Sequence, residues 1–170
     1  MDHGLWTELL RRHVLSLRDG QATQVDYAGM RADHKLLQQY LGQTSAVDRA
    51  EFDWWSSDEQ LSFLINAYNA WTVELVLQGG PGIQSIKDLG SVFQSPWKKR
   101  LIPLLGDTRS LDDIEQGMIR RSGRYLDPRI HFALNCASVG CPALRTEAYQ
   151  ADRLNAQLVN RRAILTSKGV

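Results

Sequence analysis

The segment "SSDEQLSFLINAYNAWTVELVLQGGPG" constrains this chain more than any other. Ser57 and Gln60 offer a capping box, and Gly79, Gly80 and Pro81 end the run, so a helix is expected over 57–78. It is apolar on nearly every side, and such a helix has to be the buried centre on which the rest packs. One polar stripe breaks the pattern: Ser62, Asn66 and Asn69 lie four and three residues apart, hence on one face. Buried amides cost free energy unless satisfied. The stripe therefore either braces a neighbouring segment or forms one wall of a polar site, with Asn66 and Asn69 directed toward residues 131–141.

The remaining segments are shorter. Leu5, Trp6, Leu9, Leu10, Val14 and Leu17 recur at helical spacing and predict an amphipathic helix over 4–18, with His13 in its apolar arc as a satisfied core histidine. A turn and a short extended piece lead to a second helix over about 30–42, with Leu36, Leu37, Tyr40 and Leu41 facing in. "KRLIPLLGDTRSL" reads as a hairpin around Gly106-Asp107, with Pro103 confining its first strand to an edge. "SLDDIEQGMIRR" opens a helix at Ser110, with Asp112 and Asp113 in the first turn where the helix dipole favours them. At about 100° per residue, Leu111, Ile114, Met118 and Ile119 make its apolar arc. Glu115 falls inside that arc and is expected to be buried and paired, with His131 or an arginine. "DPRIHFALNC" alternates Ile130, Phe132 and Leu134 with His131, Ala133 and Asn135, which predicts a half-buried strand over 129–135 and a loop after it. Residues 145–165 read as one or two polar helices with Leu154, Leu158 and Ile164 inward. No repeat, low-complexity tract or linker interrupts the chain. The expectation is one α+β domain over 1–170, helix-rich, with a small, mostly antiparallel sheet.

Composition removes several functions. With 43% hydrophobic and 23% charged residues and a formal net charge of +1, the chain has a globular balance. "WKKR" (97–100) is its densest basic run, too short for a nucleic-acid footprint. No apolar run reaches the roughly 18 residues that span a bilayer. "MDHGLWTELLRRHV" has no export signal, so the residues taken literally place the chain in the cytoplasm. Oligomeric state is not written in any of this.

Chemistry concentrates in "HFALNCASVGCPAL" (131–144), which holds both cysteines. A cysteine just past a strand end, on a glycine-containing loop, sits where backbone N–H groups lower a thiol's pKa and cradle an oxyanion. A histidine takes the thiol proton and a carboxylate fixes that histidine's tautomer. Cys136, His131 and Glu115 supply these types, and Asn66, Asn69 and Asn135 supply amides for substrate or oxyanion. The leading reading is a thiol-dependent hydrolase or acyltransferase acting on an amide or thioester of a small-molecule or peptide substrate. In a regular strand His131 and Cys136 would point to opposite faces, so contact requires the strand to end or bulge near Asn135. Zinc is not expected, because C-x4-C exceeds the usual knuckle spacing and no second pair exists. No cofactor is expected either. Two other readings stay open: a non-enzymatic binding module with a structural polar cluster, and a redox pair of Cys136 and Cys141. Reduced thiols are expected, with the Gly-Cys-Pro end of the loop turning Cys141 inward.

"FLINAYNAWTVELVL", "SIKDLGS", "SLDDIEQGMIR" and "DPRIHFALNCASVGCPALR" closely resemble, in content and order, the bacterial family called domain of unknown function 547. The likeness runs from Leu5 to about Leu158. Its Cys and His invite comparison with papain-like or transglutaminase-like thiol enzymes, so the resemblance implies such a fold by analogy. Many members read Asp-Ile-Glu-His-Gly where this chain has "DIEQG", so a histidine at position 116 plays no part here. Members usually continue past "RRAILTSKGV" with a motif rich in Arg and Asn, and the resemblance implies a domain truncated at its C-terminus. Members often carry an export signal before the segment matching "DHGLW", which implies a periplasmic or other extracytoplasmic location.

Overall fold

Helix α1 (Gly4–His13) leads directly into strand β1 (Val14–Leu17), paired antiparallel with β2 (Ala22–Val25) from Val14↔Val25 to Leu17↔Ala22. Helices α2 (Tyr27–Ala32), α3 (His34–Ala46), α4 (Arg49–Trp54) and α5 (Ser57–Gln78) follow. After a 3-10 turn at Pro96–Lys98 come strands β3 (Ile102–Leu104) and β4 (Asp107–Arg109), then a π-helix (Asp113–Arg120) and a 3-10 helix (Pro128–Ala133). A further 3-10 turn at Ala151–Arg153 runs into a helical stretch over 154–159. This computed structural model describes residues 1–17, 22–80, 95–137 and 141–159; "SIKDLGS" and Ile164 lie outside them. The fold is α+β with two small antiparallel sheets. Among the described residues no helix is long and apolar enough to cross a membrane.

Helix α5 is apolar all round because it is shared by two cores. Ala70, Val73 and Leu77, at helical spacing, face a cluster built from Trp6, Leu9 and Leu10 of α1 and Leu37, Tyr40 and Leu41 of α3. Phe63, Leu64, Tyr68 and Val76 face a second cluster with Ile102, Leu104, Ile114, Ile119, Ile130 and Leu134. Its capping box is Ser56 with Glu59, one residue earlier than the Ser57–Gln60 frame: Ser56 Oγ accepts from Glu59 N and Glu59 Oε2 accepts from Ser56 N. Gln60 is instead buried, donating from Nε2 to the Phe52 carbonyl at 2.9 Å.

Three expected elements come out differently. The first helix stops at His13, whose carbonyl accepts from Asp26 N at 2.8 Å, because Val14–Leu17 form a hairpin with β2. His13 itself is satisfied by Asp33, Nε2 to Oδ2 at 2.8 Å. The helix expected over 30–42 is two helices, α2 and α3, meeting at Asp33. The half-buried strand over 129–135 is absent. Asp127 caps a helical turn by accepting from Arg129 N at 2.9 Å, with Pro128 in the first-turn position where its missing N–H costs nothing. Six residues are too few to separate period two from a 3-10 turn.

The β3–β4 hairpin forms as expected, but its turn lies one residue earlier than Gly106-Asp107: the two central residues are Leu105 and Gly106, both at positive φ (54° and 77°), as the twist of a two-residue hairpin requires. At the following helix start, Ser110 Oγ accepts from Asp113 N and Asp113 Oδ2 accepts from Ser110 N. The backbone bond from Ser110 is the main reason the Asp113 carboxyl titrates below its ordinary range.

Candidate functional site: a clamped disulfide loop and a polar relay

Cys136 and Cys141 are joined in a disulfide, their Cα atoms 5.8 Å apart. The expectation of reduced thiols is overturned, and the cause lies in Asn135. Its Nδ2 donates to the Pro142 carbonyl at 2.7 Å, and its Oδ1 accepts from Ala137 N at 2.9 Å. One side chain thus draws together the two ends of the 136–141 loop and brings the cysteines within bonding range. Both cysteines are half-buried. Ala137, directly after Cys136, takes φ 48°, a left-handed conformation costly for a side chain with a Cβ. It is held there by its bond to Asn135 and by its methyl, which is buried in the core.

The asparagines of α5 are the next layer. Asn69 donates from Nδ2 to the Ala133 carbonyl at 3.0 Å and accepts at Oδ1 from Asn135 N at 2.9 Å. It pairs with the 133–135 backbone as a neighbouring strand would. Asn66 does the same one turn away, but to Tyr149: Nδ2 to its carbonyl at 2.8 Å and Oδ1 from its N at 2.9 Å. The expectation that both would reach 131–141 holds for Asn69 only. Ser62, the third of the stripe, bonds the Glu59 carbonyl of its own helix.

Beside this lies a polar relay that runs from core to surface. The Tyr68 hydroxyl donates to Glu115 Oε2 at 3.1 Å. Burial, and then the adjacent Glu115 carboxylate, push the Tyr68 phenol well above its ordinary range, so it stays a donor. Glu115 Oε1 accepts from Arg120 Nε and Nη2 at 3.0 and 2.9 Å. Arg120 Nη2 in turn lies 2.7 Å from His131 Nδ1. Glu115 is therefore paired, although half-buried rather than buried. Its partner is the arginine, and Arg120 stands between it and His131. The carboxylate holds the guanidinium, and the guanidinium holds the imidazole. Because a guanidinium only donates, His131 Nδ1 accepts, and the neutral ring carries its proton on Nε2. With Nδ1 occupied by Arg120 and the proton on Nε2, the neutral ring has no free lone pair with which to take a thiol proton.

Sequence reasoning missed Arg120 and Tyr68. At the α-helical 100° per residue, positions 115 and 120 are about 140° apart and cannot meet. In the π-helix the repeat is i to i+5, as in Arg121 N to the Gln116 carbonyl at 2.9 Å, and residues five apart share a face. Nothing in "DIEQGMIRR" announces that wider turn.

The family model described as "Protein of unknown function, DUF547" matches residues 52–163. No curated protein and no solved structure gives a significant match. Both asparagine clamps, the disulfide loop and all four members of the relay lie inside the matched span, which is most of the chain: this protein belongs to the DUF547 family.

Proposed function

We propose that the 136–141 loop works by thiol–disulfide exchange. The observation that carries this reading is the joined Cys136–Cys141 pair, half-buried on a loop clamped by asparagine amides. A thiolate of an incoming dithiol attacks one sulfur of the pair, forms a mixed disulfide and releases the other cysteine as a thiolate. The second thiol of the partner then displaces the first cysteine. The loop gains two electrons and two protons, and the partner leaves as a disulfide. The clamps through Asn69 and Asn135 bond backbone, not sulfur, so they hold the loop in either redox state. A binding module is the second reading, supported by the amides of Asn66, Asn69 and Asn135 being engaged with the chain's own backbone while Arg120 and His131 end the relay at the surface.

The test is a redox titration of the folded protein in glutathione buffers, with the reduced fraction counted by mass after alkylation and tryptophan fluorescence read in parallel. Exchange requires reversible opening as a two-electron couple, about tenfold per 30 mV, with no change in fluorescence. Reduction only after denaturant would identify a structural crosslink and leave the binding module. Rapid alkylation of reduced Cys136 at pH 6 to 7, slowed by His131→Ala, would instead favour a thiol hydrolase or acyltransferase acting through Cys136, His131 and Glu115.

A further inference from the structure

A polar concavity is lined by residues of α4, α5, β4, the π-helix and the turn that follows it. Its volume is about 410 Å³, within the size of small-molecule sites. Among the described residues it shares no lining residue with the disulfide loop or the relay. Three arginines from three separate places line it: Arg49 on α4, Arg109 at the end of β4 and Arg124 in the turn after the π-helix. Two of them are already occupied by carboxylates, Arg49 by Asp53 at 2.9 Å and Arg109 by Asp107 at 3.2 Å. Arg124 has no carboxylate partner among the described residues. Its Nη1 donates to Gln60 Oε1 at 2.7 Å, and the Tyr125 hydroxyl donates to the same oxygen at 3.0 Å. Gln60 is buried and tied to Phe52, so Arg124 is aimed by a rigid hub. Arg109 Nε is buried and has no acceptor among the described residues, while the rest of that side chain is part-exposed and lines the cleft. Phe52, Leu64 and Met118 give the cleft its apolar lining, and Arg49 lies over the Phe52 ring at 5.9 Å from its centroid.

We propose that this cleft binds a small organic carboxylate with an apolar body. A guanidinium fork matches a carboxylate in two parallel bonds, and Arg124, exposed and without a carboxylate partner among the described residues, keeps donors beyond the one given to Gln60. The charge count favours one negative charge over several. Two of the three arginines are already neutralised, and the Asp113 carboxylate in the same wall repels a multiply charged anion. The apolar body then lies on Met118, since Phe52 is buried and its ring is covered by Arg49.

The probes are 3-phenylpropionate, its neutral amide 3-phenylpropionamide, and inorganic phosphate, each titrated into the whole chain and followed by heteronuclear NMR. The acid is expected to bind with a dissociation constant of about 1 mM or tighter and to shift Gly117, Met118 and Arg124 amides. The amide should bind at least about tenfold more weakly. Arg124→Gln, at an exposed position, should weaken the acid by a similar factor with an unchanged melting midpoint. Arg109→Gln should act in the same direction, and Arg153→Gln, outside the cleft, should change nothing. The proposal is overturned by equal binding of acid and amide, by phosphate binding as well as the acid, by an unaltered Arg124→Gln, or by no shifts at all.

Discussion

Asn69→Ala isolates the clamp on which the disulfide loop depends. The substitution deletes two hydrogen bonds and leaves two backbone groups without partners, the Ala133 carbonyl and the Asn135 N–H. Ala133 is 4% exposed, so its carbonyl cannot recover a partner from water and carries the full penalty of about 1–3 kcal/mol. Asn135 is half-buried, and its N–H recovers part of its solvation. Adding the small cavity left by the amide, the loss should be about 2–4 kcal/mol, a large share of the roughly 5–15 kcal/mol by which domains are stable. Urea unfolding followed by tryptophan fluorescence measures it, with the slope unchanged. Asn66→Ala is the matched control. It removes the two bonds from Asn66 to the backbone of Tyr149, which is 2% exposed, and should cost about as much. The two variants must diverge in a second measurement, the rate at which dithiothreitol opens Cys136–Cys141 in the folded state. Asn69→Ala frees the segment that enters the loop and should accelerate opening, whereas Asn66→Ala should not. A loss under about 1 kcal/mol at Asn69, or equal acceleration in both variants, refutes the bracing argument.

Two further outcomes concern stability alone. His3 is buried against Tyr40, Nδ1 to hydroxyl at 2.8 Å, and burial, then the N-terminal amine, bring its pKa down from 6.5 to about 4. The unfolded chain takes up the proton first, so this contribution is complete above pH 6.5 and is lost as pH falls toward 4, by at most about 3 kcal/mol. Melting midpoints across that window should fall more steeply for the wild type than for His3→Gln, and parallel profiles would disprove the assignment. A Cβ at Gly29 would run into His13 Nδ1 and sit 2.6 Å from Asp26 Oδ2, the cap of α2. Gly29→Ala should therefore destabilise by about 1–3 kcal/mol, while Gly42→Ala, with nothing within 4 Å in α3, should stabilise by up to about 1 kcal/mol. Calorimetry giving both changes the same sign would count against this packing.

What could be read from residues alone follows the length of each signal. Helix α5 has more than five turns of pattern, and its place at the centre needed only that pattern. Its cap slipped by one residue because "SSDEQ" contains two overlapping frames, Ser56–Glu59 and Ser57–Gln60, and only the burial of Gln60 separates them. The asparagine stripe was visible as a demand for partners, but the partners lie about 65 and 83 residues away and no local rule names them. The relay was half visible. Glu115 stood out as a carboxylate in an apolar arc, yet Arg120 came within reach only through a π-helical turn. The disulfide was weighed and set aside, because the closure by the Asn135 side chain, local though it is, depends on a rotamer that spacing does not display.

A helix that serves two cores has a consequence for motion. Opening the α1–α3 side exposes Ala70, Val73 and Leu77, and opening the other side exposes Phe63, Leu64, Tyr68 and Val76. Neither half can be released without stripping α5 of contacts that also hold its other face in register. Amide protons in the middle of α5, from about Leu64 to Val76, should therefore exchange with deuterium only through complete unfolding, while those of β1 and β2 leave by local fraying. Sub-global opening is left to the periphery. The clamp residues Asn66 and Asn69 sit within the slowest-exchanging stretch, so the loop they grip is anchored to the part of the molecule that lets go last.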